Sequence, residues 1–146
     1  MNVNNDGRLR LQHTNGLYSG FSNAAIKSDG DMLYYLYSQS IVEYFGDDNQ
    51  IITGIGMGTA LTSGQKYAIL DINFGGDPAT EYVYPTNNGT VYVRTELRLT
   101  SGQLRLDDDN NPVSGGRSIT IEKILPTGIT RTNGYIRAET YDGASL

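Results

Sequence analysis

The feature that most constrains this chain is a hydrophobic alternation of period two. Between Thr90 and Leu99, Val91, Val93, Thr95, Leu97 and Leu99 fall on one face, and Tyr92, Arg94, Glu96 and Arg98 on the other. Successive strand side chains point to opposite faces, so this pattern predicts a half-buried β-strand rather than a helix. The same alternation returns at Arg8, Leu9, Arg10 and Leu11, around Ile119 and Ile121, and around Ile136 and Ala138. No window carries a helical apolar stripe. Residues 59–62 are the one candidate for a helical turn.

Turn signals punctuate these segments. Asp-Gly pairs begin at Asp6, Asp29 and Asp142, and Asn-Gly pairs at Asn15, Asn88 and Asn133. Such pairs tolerate the positive φ of tight hairpin turns. Residues 100–103 are therefore expected to fold the 90–99 strand back onto 104–106 as a hairpin. Pro78, Pro85, Pro112 and Pro126 all fall in predicted loops, and no internal repeat is evident. The expectation is an all-β fold, an antiparallel β-sandwich or closed β-barrel of about eight or nine strands. Residues 1–6 read as an N-terminal arm and 7–146 as a single β domain.

Two stretches are apolar on both faces, 32–37 and 67–74. Either each is covered by its own chain, as a central strand or under a loop, or a neighbouring subunit covers it. Large exposed apolar patches are rare on monomers.

Composition narrows the function classes. The 146 residues carry 11 Lys plus Arg against 16 Asp plus Glu, a formal net charge of −5. The cations do not cluster, which argues against nucleic-acid binding. No stretch approaches the roughly 20 apolar residues of a membrane helix. The first residues lack the basic and apolar regions of a signal peptide. There is no cysteine, so no disulfide framework is expected.

Catalytic and metal-binding patterns are weak, and neither catalytic nor metal-ligating residues are assigned. His13, the only histidine, sits in a polar stretch near the N-terminus and reads as a loop residue. Asp107, Asp109 and Asn111 match the opening of an EF-hand loop. Pro112 replaces its glycine, however, and Ser118 its closing glutamate. Asn2, Asn4 and Asp6 fail similarly, with His13 in the last position. Gly54, Gly56 and Gly58 lack the third glycine of a dinucleotide loop, since position 59 is Thr59. Glu43, Asp71, Glu96, Glu122 and Glu139 lie in predicted strands, and a pair of them could hydrolyse a glycoside. Solubilising surface charge accounts for them equally well. Asn88, Gly89 and Thr90 form a glycosylation sequon that, without a secretion signal, is only a turn.

The 11 tyrosines are the other candidate feature. Tyrosine combines an apolar ring with a hydroxyl and is favoured at interfaces and sugar sites. Tyr34, Tyr35, Tyr37 and Tyr44 fall in one predicted hairpin. Tyr82, Tyr84 and Tyr92 fall around the turn at 87–89. Strand propensity and core filling are the competing explanation.

The segments around Asp6 to Leu11, Ser28 to Tyr35 and Ile41 to Gly46 resemble structural proteins of tailed-bacteriophage virions. The likeness is one of style and covers about the first third of the chain. Collagen-like and coiled-coil repeats are missing, so a long fibre shaft is not implied. What the resemblance implies is a small β module that attaches to a capsid shell or tail as a decorating or tail-associated protein. Such a module would be made in the host cytoplasm, would end in the virion, and would need no cofactor. It would assemble as a homo-oligomer, three-fold by analogy with decoration proteins. A polar terminus is usually disordered unless tied down, so Val3, Asn4 and Asn5 are expected to contact a neighbour. The expected role is structural and not enzymatic. The alternative is a carbohydrate-binding module using the tyrosines, with or without Ca²⁺. A small glycan-cleaving enzyme is the third reading.

Overall fold

A computed structural model describes residues 2–4, 6–14, 16–17, 35–36, 38–53, 66–77, 79–85, 90–106, 117–123 and 128–137. Twelve strands and no helix occur among them. They are β1 (Asn2–Val3), β2 (Arg8–Leu11), β3 (Tyr35–Leu36), β4 (Ile41–Tyr44), β5 (Gln50–Ile52) and β6 (Tyr67–Asn73). There follow β7 (Val83–Pro85), β8 (Thr90–Ser101), β9 (Gln103–Arg105), β10 (Ser118–Ile121), β11 (Ile129–Arg131) and β12 (Tyr135–Arg137).

Every pairing is parallel, which overturns the expected antiparallel sandwich or barrel. One sheet runs β10-β8-β6-β4-β2, with β11 also on β8, and a second runs β12-β9-β7-β5. Each passage of the chain thus leaves strands in the first sheet, turns a corner, and leaves one in the second. The architecture is a β-solenoid of stacked coils. Alternation of period two is common to parallel and antiparallel strands, so it could not separate them. Parallel strands need a long crossover, and here each crossover is the opposite sheet with its loops.

The predicted hairpin at 90–106 is a corner instead. β8 and β9 belong to different sheets, joined by Gly102 at a φ of 79°. A Cβ there would stand 2.7 Å from the Phe74 Cβ, so glycine meets both the backbone and the packing demand. The hairpin expected to unite Tyr35 with Tyr44 is absent likewise. β3 pairs with β1, and β4 lies between β2 and β6. Pro85 is not in a loop but closes β7, opposite Ile52.

The coils are a repeat that variable loops disguise. Arg8, Ile41, Ile69 and Glu96 stack in register, at spacings of 33, 28 and 27 residues. Inward rows follow from this register. Leu9, Val42, Leu70, Leu97 and Ile129 form one, and Leu11, Tyr44, Ile72, Leu99 and Arg131 the next. Except for Leu9, Ile129 and Arg131, these side chains are buried. Burying each large one is worth about 1.5–3 kcal/mol. The alternation read from residues 90–99 holds at Val91, Val93, Leu97 and Leu99, which are buried, but Thr95, expected on the same face, is half-buried like Tyr92, Arg94, Glu96 and Arg98. Register against β6 slips near Tyr67/Ile69 and again near Ile72/Asn73, so β8 bulges there.

β6 lies between β4 and β8, and its outward residues Ile69 and Asp71 are buried within the chain itself. The two-sided apolar character of 67–74 therefore needs no neighbouring subunit, at least there. Buried parallel strands commonly read this way. Residues 32–34 and 37 lie outside the described residues.

Candidate functional site

The outward face of the first sheet carries a charged row. Arg10, Glu43, Asp71, Arg98 and Thr130 occupy equivalent positions on β2, β4, β6, β8 and β11. The Glu43 and Asp71 side chains are buried, whereas those of Arg8 and Arg10 are about half exposed. Arg8 Nη1 donates to Glu43 Oε2 at 2.8 Å and to Asp71 Oδ2 at 3.3 Å. Arg10 Nε donates to Glu43 Oε2 at 2.9 Å, and Asn73 Nδ2 to Glu43 Oε1 at 2.8 Å. Thr100 Oγ1 donates to Asp71 Oδ1 at 2.7 Å. The Arg10 guanidinium also lies 4.0 Å from the centre of the Phe45 ring. The row is a set of interlocked ion pairs across successive coils.

Of the five carboxylates considered from sequence, the fold makes Glu43 and Asp71 direct register partners. Neighbouring strands run about 4.8 Å apart, close to the roughly 5–5.5 Å separation of a retaining glycosidase pair. Protonation argues otherwise. Burial pushes the Glu43 carboxyl up, but hydrogen bonds from Asn73, Arg8 and Arg10 and the charge of Arg8 outweigh it. The net effect holds Glu43 below the usual carboxylate range, so it is poorly suited to donate a proton near neutral pH. Both of its oxygens already accept donors. Glu96 is also held low, with burial opposed and outweighed by hydrogen bonds from Arg98 and Thr130. Glu122 is paired with Lys66, and Glu139 lies outside the described residues.

The tyrosines divide. Tyr44 is fully buried, its hydroxyl 3.0 Å from that of Tyr67, whose own hydroxyl donates to the Thr53 carbonyl at 2.9 Å. It is a core residue and not a surface contact. Burial pushes its hydroxyl up despite these hydrogen bonds. Tyr82 and Tyr84 are half-buried, with ring centres 5.3 Å apart at 58°. Guanidinium groups cover this pair: Arg105 lies 4.5 Å from the Tyr82 ring centre, and Arg117 lies 4.4 Å from that of Tyr84. Tyr92 is separate, with the Lys66 ammonium 5.1 Å from its ring centre. Tyr35 pairs through its backbone with Asn2, and Tyr34 and Tyr37 lie outside the described residues.

The arm is tied down internally. Val3 pairs with Leu36, and the Asn4 carbonyl accepts the Gly7 N–H at 2.9 Å. Asn5 lies outside the described residues, as do 54–60 with their glycines, the acidic run at 107–111, and the sequon turn at 88–89. His13 is exposed, and its carbonyl accepts the Gly16 N–H at 3.1 Å.

Sequence reasoning missed the end of the solenoid. Stacked on buried Leu97 and Leu104, Ile129 and Ile136 occupy inward positions yet are 40% and 38% exposed. Among the described residues no strand lies beyond β10, β11 and β12 on that side. The signal that would have found it is the repeat itself, because only a register of coils reveals which coil is last.

Comparison of the chain with protein-family models, with curated proteins and with solved structures returned no match.

Proposed function

We propose that this chain is a structural component of a bacteriophage virion, capsid-decorating or tail-associated, that acts through protein–protein contacts. The observation that supports this most is the last coil, which no other described strand covers. Repeat proteins normally need a polar capping repeat to stay soluble. Here Ile129, Tyr135 and Ile136 are exposed on a coil whose strands have, among the described residues, no partner on their outer edge. A surface of that kind is suited to a partner. The interlocked arginine and carboxylate row supports a rigid scaffold, in which Glu43 is held below the usual carboxylate range by its donors. The test is sedimentation of particles from infected cells carrying a tagged copy. Co-sedimentation in fixed ratio to the major shell or tail protein is expected. Particles devoid of the chain, with all of it in the soluble fraction, would overturn the reading.

A second reading, carbohydrate binding, is favoured by the adjacent Tyr82 and Tyr84 rings flanked by Arg105 and Arg117. Glycan-array binding lost on Tyr82→Ala would move it to first place.

A further inference from the structure

We infer that the open end of the solenoid docks a β-strand of a partner protein, and that this strand carries acidic side chains. This rests on the assembly reading above and adds the chemistry of the partner.

The backbone of the last coil is arranged for strand addition. Leu97 N–H donates to the Gly128 carbonyl at 2.8 Å, and Thr132 N–H to the Leu99 carbonyl at 3.0 Å. Polar groups alternate sides along a strand, so those of Ile129 and Arg131 point away from β8, toward the open edge. In β12, Tyr135 N–H donates to the Gly102 carbonyl at 3.1 Å, and the Arg137 carbonyl accepts from Leu106 at 2.8 Å. Ile136 therefore also presents its backbone outward. An added strand would complete these ladders and cover Ile129 and Ile136, as strand-addition recognition does elsewhere. Covering exposed apolar side chains supplies a non-directional driving force.

Charge selects the partner. Residues 117–137 hold Arg117, Lys123, Arg131 and Arg137 against Glu122 alone, a formal charge of +3 in a chain of −5. Arg131 stands in an inward row, over Leu99, where coils below hold Tyr44 and Ile72. It is exposed at the mouth of the apolar surface. A second copy of the chain is a poor occupant. Its own first-sheet edge is β2, and a copy stacked in continued register would set Leu11 against Arg131, which brings that cation no acidic partner. A charge covered by an apolar side chain and given no partner costs free energy. An acidic strand satisfies both demands.

The test uses the full ¹⁵N-labelled chain and two blocked nine-residue peptides. One alternates Val with Thr and Asp, and the other replaces each Asp by Lys. The acidic peptide is expected to shift the amide signals of Ile129, Arg131 and Ile136, with the basic one at least about tenfold weaker. Arg131→Glu should reverse the preference and Arg131→Gln should erase it, in variants whose spectra remain dispersed. No shift at these amides, or equal shifts with both peptides, would overturn the inference. So would self-association of the chain that Arg131→Glu abolishes, since a second copy would then be the occupant. Chain present on particles while both peptides fail would leave the assembly reading standing and remove only the acidic strand. Selective peptide binding with particles devoid of the chain would do the reverse.

Discussion

Glu43 stands directly opposite Asp71 in the β4–β6 ladder, and a single nitrogen of Arg8 bridges them, at 2.8 Å and 3.3 Å. Two carboxylates on neighbouring strands would repel one another without that guanidinium. Their burial is tolerable because the donors are present. Deleting one member should therefore expose the cost borne by the others.

Glu43→Ala is expected to destabilise the fold by about 1–3 kcal/mol, the usual penalty for stranding buried polar partners. Arg8 and Arg10 are half exposed, and solvent screening keeps the figure below that of a fully buried pair. Urea denaturation of Glu43→Ala, Arg8→Ala and the double variant gives the coupling. Strict additivity would show that the two residues do not interact.

Acid should act on the same face of the sheet. Glu43 and Glu96 are both held below the carboxylate range in the folded chain. A group with a depressed folded pKa contributes stability above its unfolded pKa, about 4.3 for Glu, and loses it as pH falls through the folded value. The melting temperature should hold from neutral pH down to about 5 and then fall, as the unfolded state begins to bind protons. Glu43→Gln should flatten that fall. An unchanged acid limb would contradict the assignment.

Leu97→Ala should cost about 2–5 kcal/mol, as a truncation inside a packed interior. Arg98→Ala should cost under about 1 kcal/mol, because its partner Glu96 is partly exposed. Equal losses would mean that the faces of β8 are reversed.

Gly102→Ala should destabilise by about 1–3 kcal/mol, because a positive φ disfavours any Cβ and the Phe74 carbonyl oxygen lies 2.8 Å from where it would stand. Gly75→Ala is the control, with its nearest contact at 3.9 Å. Comparable melting temperatures for the two variants would show that the corner does not depend on glycine.

Strand content was legible because period two survives in any sheet, and residues 90–99 displayed it over a full strand. The repeat was also present, though faint. Val42-Glu43-Tyr44 precedes Gly46, Leu70-Asp71-Ile72 precedes Gly75, and Leu97-Arg98-Leu99 precedes Gly102. Each is an apolar, charged, apolar triplet followed by the corner glycine. Loops of unequal length between coils hide the period from a fixed-spacing search. The charged middle residues read as ordinary solubilising charge, since nothing local says that they stack upon one another.

By itself the sequence determined that strands would form, where their apolar faces lie in β8, and that glycine punctuates the corners. These properties follow from neighbours along the chain. Only the tertiary structure decided that the strands run parallel, because strand direction depends on where each corner sends the chain. It also decided that Tyr44 is core and that Glu43 meets Asp71. The open end with Ile129, Arg131 and Ile136 was decided in the same way. A residue's place at the end of a stack depends on residues some thirty positions away, and no local pattern encodes it.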